Sequence, residues 1–164
     1  MAKSGQDLGG SLTAQVEQRD GATYITLDGP VTELADFTPL TRLRGPLRLD
    51  LAGIDRINSI GVRSWILFVK QAEAMGLSLT FERVSPAMVL QISMISNFMG
   101  AKSRVRSLLV PYLCNSCHYE HLQLVEVTPG VALAVPPRMA CPKCGAAMHL
   151  DELEAMYGSL FAHA

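Results

Sequence analysis

Four cysteines in the last third of the chain are spaced for metal binding. They form two C-x2-C pairs, Cys114 with Cys117 and Cys141 with Cys144, and the chain has no other cysteine. A tight turn within each pair lets both thiolates reach one ion, and four thiolates fill a tetrahedral zinc shell without leaving a position for water. The spacing therefore predicts one structural Zn2+ per chain on these four residues, and no catalytic metal.

Two other chemistries use cysteine pairs of this kind. Cys114-x-x-Cys117-His118 also matches the attachment pattern of c-type haem, but haem attachment would leave the second pair without a role. A thioredoxin-like redox pair opens a helix in a βαβ unit, and neither pair has that setting. His118 is an alternative zinc ligand, although an all-cysteine set is the simpler count.

A β-hairpin is predicted between the two cysteine pairs. Strand-like residues 121–128 and 131–135 flank Pro129-Gly130, which fits the central positions of a type II turn. With a hairpin between two C-x2-C turns, residues 111–150 resemble the zinc-ribbon family. Residues 151–164 begin with carboxylates and carry spaced apolar side chains, so we expect a short amphipathic helix there.

The preceding part of the chain alternates strand-like and helix-like patterns. Strands are predicted near residues 11–17, 22–27, 47–51, 77–81 and 105–113, and helices near 34–43, 60–75 and 85–98. This alternation indicates an α/β domain with parallel neighbouring strands. We expect residues 1–10 to be a disordered lead-in and residues 11–110 to form the domain.

One loop of this domain carries a recognisable pattern. The stretch LDLAGIDRINSIGVRSWI, residues 49–66, leads from an apolar strand through a loop into an amphipathic helix, with Ser59 placed as its N-cap. With the element order, this stretch makes residues 11–110 resemble the STAS family (sulphate transporter and anti-sigma factor antagonist domains), with a mixed sheet and helices. Gly61 matches the motif glycine. Asn58 replaces the usual Asp, and Ile60 replaces a frequent Ser or Thr.

The resemblance implies a non-enzymatic regulatory module. In soluble members of the family, the residue that matches Ser59 accepts a phosphate from a partner kinase, which switches the bound partner. A serine kinase or a protein like an anti-sigma factor is the implied partner, and the expected binding residues are Asn58, Ser59, Ile60, Gly61 and Trp65. Three alternatives remain: Ser59 only caps the helix, the domain is a phosphorylation-independent adaptor of a larger complex, or the ribbon belongs to a nucleic-acid-associated transcription regulator.

Charge and composition weigh against several of the other functions. Lys and Arg total 14 and Asp and Glu total 15, and the only basic side chains after residue 110 are Arg138 and Lys143. Phosphate binding needs clustered cations, so we expect no nucleic-acid binding. No apolar run approaches the roughly 20 residues of a membrane span, and the N-terminus lacks a secretory signal, so we expect a cytoplasmic protein. The sequence shows no nucleophile–base pair of the kind that enzymes use, so we do not expect an enzyme.

Overall fold

The structure, a computed structural model, describes residues 2–151, 157 and 160. The chain forms two compact units, Met1–Arg106 and Ser107–Ala164. The sequence places this boundary near residue 110, because it predicts one continuous strand there. That stretch is divided: Arg104–Val105 closes the first sheet, and Ser107–Cys114 belongs to the second.

Six strands form one mixed sheet in the first unit, in the order β1-β2-β3-β4-β5-β6. The strands are β1 (Lys3–Asp7), β2 (Thr13–Arg19), β3 (Ala22–Asp28), β4 (Leu47–Gly53), β5 (Leu79–Glu82) and β6 (Arg104–Val105). β1 to β3 pair antiparallel, whereas β3 to β6 pair in parallel. Parallel pairs need crossover connections, so the predicted α/β class with parallel neighbours is confirmed for this unit.

The prediction of a disordered lead-in over residues 1–10 is wrong. β1 pairs with β2 from Lys3↔Glu17 to Asp7↔Thr13, and Leu8, which follows it, is buried. The side chains of β1 are almost all exposed. A strand without a buried face has no apolar alternation, so hydrophobic periodicity cannot reveal it.

Three helices connect the parallel strands: α1 (Thr38–Thr41), α2 (Ser59–Ala74) and α3 (Pro86–Met94). α3 begins as predicted, with Ser85 as N-cap, whose hydroxyl accepts from the amide of Met88 at 3.4 Å. It ends at Met94 rather than near Phe98, because Ile95 already has an extended backbone.

The core of the first unit lies where α2 packs on the sheet. Neighbouring strands align one buried apolar row, which consists of Val16, Ile25, Leu49 and Phe81. The ring of Trp65 lies 5.6 Å from that of Phe81, and its indole N–H donates to the carbonyl of Phe98 at 3.2 Å. The prediction of Trp65 as a partner contact is wrong, because this side chain is fully buried and its aromatic surface stabilises the core.

The second unit contains a four-stranded antiparallel sheet in the order β8-β7-β10-β9. Its strands are β7 (Ser107–Cys114), β8 (Glu120–Glu126), β9 (Arg138–Ala140) and β10 (Ala147–Leu150). The helix predicted over 151–164 lies almost wholly outside the described residues. The structure describes Asp151, Tyr157 and Leu160 of this range, and Tyr157 and Leu160 are buried.

The predicted hairpin of the second unit has the wrong partner strand. β8 pairs with β7, and residues 131–135 form no strand. The turn itself is present, since the amide of Val131 donates to the carbonyl of Thr128 at 3.1 Å and Gly130 has φ 72°. Pro136 and Pro137 lack the N–H groups that a strand ladder needs, and the chain returns to the sheet only after them.

Candidate metal centre and partner-binding loop

The four predicted cysteines come together at one point of the second unit. Their Sγ atoms all lie within 4.8 Å of one another. Across the two pairs, Cys114 Sγ lies 3.6 Å from Cys144 Sγ, and Cys117 Sγ lies 3.7 Å from Cys141 Sγ. Thiolates at about 2.3 Å from a tetrahedral zinc ion stand about 3.8 Å apart. The cysteines are therefore close enough to hold one metal ion, and the geometry is consistent with a structural zinc site.

The two cysteine turns share one backbone design. In the first, the amide of His118 donates to the carbonyl of Cys114 at 2.8 Å, and in the second, the amide of Gly145 donates to that of Cys141 at 2.8 Å. Both donors are left-handed, with φ 58° at His118 and 77° at Gly145. His118 therefore closes a turn, and among the described residues it is not part of the metal-binding group.

Backbone amides and neighbouring sulfurs set the pKa values of these thiols. The amide of Cys117 lowers the pKa of Cys114 to about 7. Burial raises the pKa of Cys141, but backbone amides, first that of Cys144, hold it below its usual value. The amide of Ala146 favours the Cys144 thiolate, but the nearby sulfurs of Cys117 and Cys114 outweigh it and raise the pKa to about 12. A divalent cation would supply the charge that four neighbouring thiolates require.

The second candidate site is the turn that leads into α2, and its cap differs from the prediction. Asn58, not Ser59, is the N-cap residue, and its Oδ1 accepts from the amide of Gly61 at 2.8 Å. The carbonyl of Asn58 accepts from the amide of Val62 at 2.8 Å. Asparagine is among the best N-cap residues, so Ser59 becomes the first helical residue, and its exposed side chain is free of the capping role.

A segment from the first half of the domain holds this turn in place. Val31 forms an isolated parallel bridge with Ile57. Its amide donates to the carbonyl of Arg56 at 3.0 Å, and its carbonyl accepts from the amide of Asn58 at 3.1 Å. A Cβ on Gly61 would lie 2.1 Å from the Val31 oxygen. The prediction that Gly61 belongs to an exposed binding face is therefore wrong, because this glycine is buried against its own chain.

Glu33 extends this contact to the Asn58 side chain. The amide nitrogen of Asn58 donates to the Glu33 carboxylate at 2.7 Å. The pKa of Glu33 is lowered by a hydrogen bond from its own backbone amide and next by that from Asn58. A cleft of about 290 Å³ opens beside the pair, and it is lined by Thr32, Glu33, Arg56, Ile57 and Asn58. An aspartate at position 58 would face a second carboxylate and would lose this hydrogen bond.

The resemblances to STAS domains and zinc ribbons are supported only by the residue patterns of this chain, and not by a match to a known protein. No model of a known protein family matches it, and no curated protein does. The findings establish a mixed α/β unit followed by a unit with a four-cysteine cluster. Within the described residues, none of the helices has the length and apolar character that crossing a bilayer demands.

The predicted partner contacts divide into exposed and buried residues. Asn58, Ser59 and Ile60 are exposed, whereas Gly61 and Trp65 are buried. Ile60 exposes 55% of its surface, and Leu67, two turns along the same face of α2, exposes 56%. Leu67 was not among the predicted contacts, although its spacing from Ile60 is visible in the sequence. Val31 and Glu33 could not be found in this way, because they lie far from the turn along the chain.

Proposed function

We propose that the protein is a non-enzymatic regulatory module that binds a partner protein through the turn Asn58–Ile60 and the adjacent face of α2. The observation that carries this proposal is an exposed apolar side chain on a fixed turn. Ile60 is more than half exposed, while Asn58 is bonded to both Val31 and Glu33. A preorganised contact loses little conformational freedom on association, so more of its binding energy is retained.

Ser59 is the proposed switch in this surface. Its side chain is exposed and stands at the first position of a 16-residue helix. A phosphate there would meet the amides of the first turn and the positive end of the helix dipole, and it would add nearly two negative charges to the binding face. The resemblance to STAS domains supports a serine kinase or a protein like an anti-sigma factor as partner.

For the second unit, we propose a structural Zn2+ on Cys114, Cys117, Cys141 and Cys144. The sulfur separations support this assignment, and four thiolates close the shell of the ion. The role is to fix the ends of β7 and β10, which carry or adjoin the cysteine turns. Free thiols of this kind fit a reducing compartment such as the cytoplasm.

A matched set of serine variants tests the binding face. Ser59→Asp adds a negative charge on the face, Ser59→Ala only removes the hydroxyl, and Ser78→Asp adds the same charge in an exposed position before β5, at the other end of the strands. Each variant of this 164-residue chain is immobilised and used to capture proteins from native extract, with identification by mass spectrometry. We expect Ser59→Asp alone to lose a protein that the other variants and the wild type retain, by about tenfold or more.

Intact-mass measurement of the protein from native extract reports phosphate on Ser59 in the same experiment. If Ser59→Asp retains every partner as well as the wild type and unfolds at the same temperature, the turn is not the interface. A phosphate found elsewhere on the chain would remove Ser59 from its proposed role.

Metal analysis tests the zinc assignment. The purified chain should contain about one zinc ion per molecule. Cys144→Ser or chelation should remove it and should expose the amides of residues 107–151 to hydrogen exchange, because zinc binding and folding of such a unit are coupled. Ser116→Ala, in the same turn as two ligands, should keep the zinc. A haem absorption band, or an ordered second unit after chelation, would contradict the assignment.

A further inference from the structure

Among the described residues, three of the four sheet edges carry features that block pairing with another chain. β1 is charged at both ends by Lys3 and Asp7, β6 has two residues, and β9 has three residues after Pro136-Pro137. Lysine, proline and short length are the usual protections of edge strands. β8 is the longest of the four edge strands, with seven residues, no Lys, Arg or Pro and a continuous register with β7; its only charged side chains are Glu120 and Glu126 at its two ends.

The outer edge of β8 presents main-chain groups of alternate residues. The amide of Cys114 donates to the carbonyl of Tyr119 at 2.9 Å, which sets the phase of the antiparallel ladder. By this phase, the odd-numbered residues within 121–125 bond to β7, and the amides and carbonyls of Leu122 and Leu124 point away from it. The Leu124 carbonyl accepts from the side-chain amide of Gln123 at 3.2 Å, a bond between exposed groups that pairing would replace. No strand among the described residues pairs with that edge. The side chains of Leu122 and Leu124 are 49% and 44% exposed.

We propose that the outer edge of β8 pairs antiparallel with the same edge of a second copy of this chain, which joins two four-stranded sheets into one. The strand reads Glu-His-Leu-Gln-Leu-Val-Glu and is nearly symmetric about Gln123. Antiparallel pairing about Gln123 sets Leu122 of each copy opposite Leu124 of the other, so two leucine pairs form on one face of the joined sheet. It also uses every outward amide of the strand.

Other antiparallel registers between two copies of β8 give less favourable side-chain pairs. Side chains of opposed residues must lie on the same face, so the register can shift only in steps of two residues. A shift about Leu122 or Leu124 sets a leucine opposite a glutamate and leaves fewer residues paired. The symmetric register therefore identifies a second copy, rather than an unrelated strand, as the occupant.

The symmetric register also opposes Glu120 to Glu126 of the second copy at both ends of the strand pair. Like charges directly opposite each other weaken strand pairing. The dimer is therefore weak, with a dissociation constant of roughly micromolar to millimolar magnitude, and it tightens with salt, which screens exposed charges. Tighter association after removal of these two charges is expected only if β8 pairs with a second copy of itself, so the two glutamates distinguish a dimer from binding to an unrelated strand.

Sedimentation equilibrium of the full zinc-loaded chain over a range of concentrations measures the association. Leu122→Lys should weaken the dimer by about tenfold or more, because a lysine on an edge strand opposes pairing with another chain. Leu90→Lys, at a leucine of similar exposure on α3, should leave it unchanged. The double variant Glu120→Gln/Glu126→Gln should tighten it by about tenfold, since two like-charge pairs disappear.

Hydrogen exchange resolved by residue locates the interface. The amides of Leu122 and Leu124 should gain protection as the protein concentration rises, whereas those of Gln123 and Val125 should be protected at every concentration. A chain that stays monomeric at about millimolar concentration would overturn the proposal. So would a dimer that survives Leu122→Lys, or one that the glutamine variants do not tighten.

Discussion

Replacement of Gly61 by alanine measures how closely α2 is docked on the Val31 segment. In an open helix, Gly→Ala stabilises by about 1 kcal/mol. At position 61, the new Cβ would lie 2.1 Å from the Val31 oxygen and 2.7 Å from its carbonyl carbon. Both are main-chain atoms and cannot rotate away. Because carbon atoms in contact stand about 3.5 Å apart or more, the two segments must separate by roughly 1 Å.

That separation weakens two hydrogen bonds and the packing of one buried side chain. It lengthens the hydrogen bonds from Asn58 to Val31 and from Val31 to Arg56, now 3.1 Å and 3.0 Å, each of which stabilises by about 1 kcal/mol. It also loosens the fully buried Val31 side chain, whose burial contributes about 2 kcal/mol. After the helix gain is subtracted, complete loss of these contacts would cost about 3 kcal/mol, so the net loss is at most about that much, or at most roughly 12–24 °C in the unfolding midpoint.

Thermal unfolding followed by tryptophan fluorescence measures this loss. Trp65 is the single tryptophan of the chain and is buried in the first unit, so its signal follows that unit alone. Ser64→Ala, on the same helix, is the control and should shift the midpoint by only a few degrees. A Gly61→Ala protein as stable as the wild type, or more stable, would refute the close docking and with it the fixed turn.

Substitutions at three other places test individual turns and hydrogen bonds. His118 and Gly145 both have a left-handed backbone, so His118→Gly should stabilise the second unit with its proposed zinc by up to about 1 kcal/mol. Gly145→Ala should destabilise that unit by more than this amount, and backbone strain alone would be the cause, because no atom lies within 4 Å of a Cβ at Gly145. Resistance of the unit to a chelator measures both changes. Asn58→Asp should lower the first unit's unfolding midpoint at pH 7, since the aspartate loses the donor to Glu33 and faces its carboxylate. Burial raises the pKa of Glu73, but hydrogen bonds from the hydroxyl of Ser103 and from three backbone amides lower it overall. Its stabilisation is therefore full above the unfolded pKa of about 4.3 and is lost as the pH falls through the lower folded value, so Glu73→Gln should flatten the stability profile in that acidic range.

The four cysteines of the cluster and most of the regular elements can be predicted from the sequence. Two C-x2-C pairs are local patterns, since each turn supplies two sulfurs without help from distant residues. The alternation at Leu47, Leu49 and Leu51 and the Ser85-Pro86 start of α3 are equally local, and the structure has both. Such signals depend only on the strand and helix periods and on capping chemistry.

The tertiary structure decided the features that depend on contacts between distant segments. β1 is a strand only because β2 offers it an edge, and β8 pairs with β7 rather than with residues 131–135. Gly61 is required by the carbonyl of Val31, a residue that no spacing rule connects to it. The sequence position of Trp65 is compatible with an exposed helix face as well as with a buried one, and Trp65 is buried because its ring packs on Phe81 of the sheet. Hydrogen-bond partners and close approaches of this kind are properties of packing, whereas a single sequence records only the periodicity of each segment.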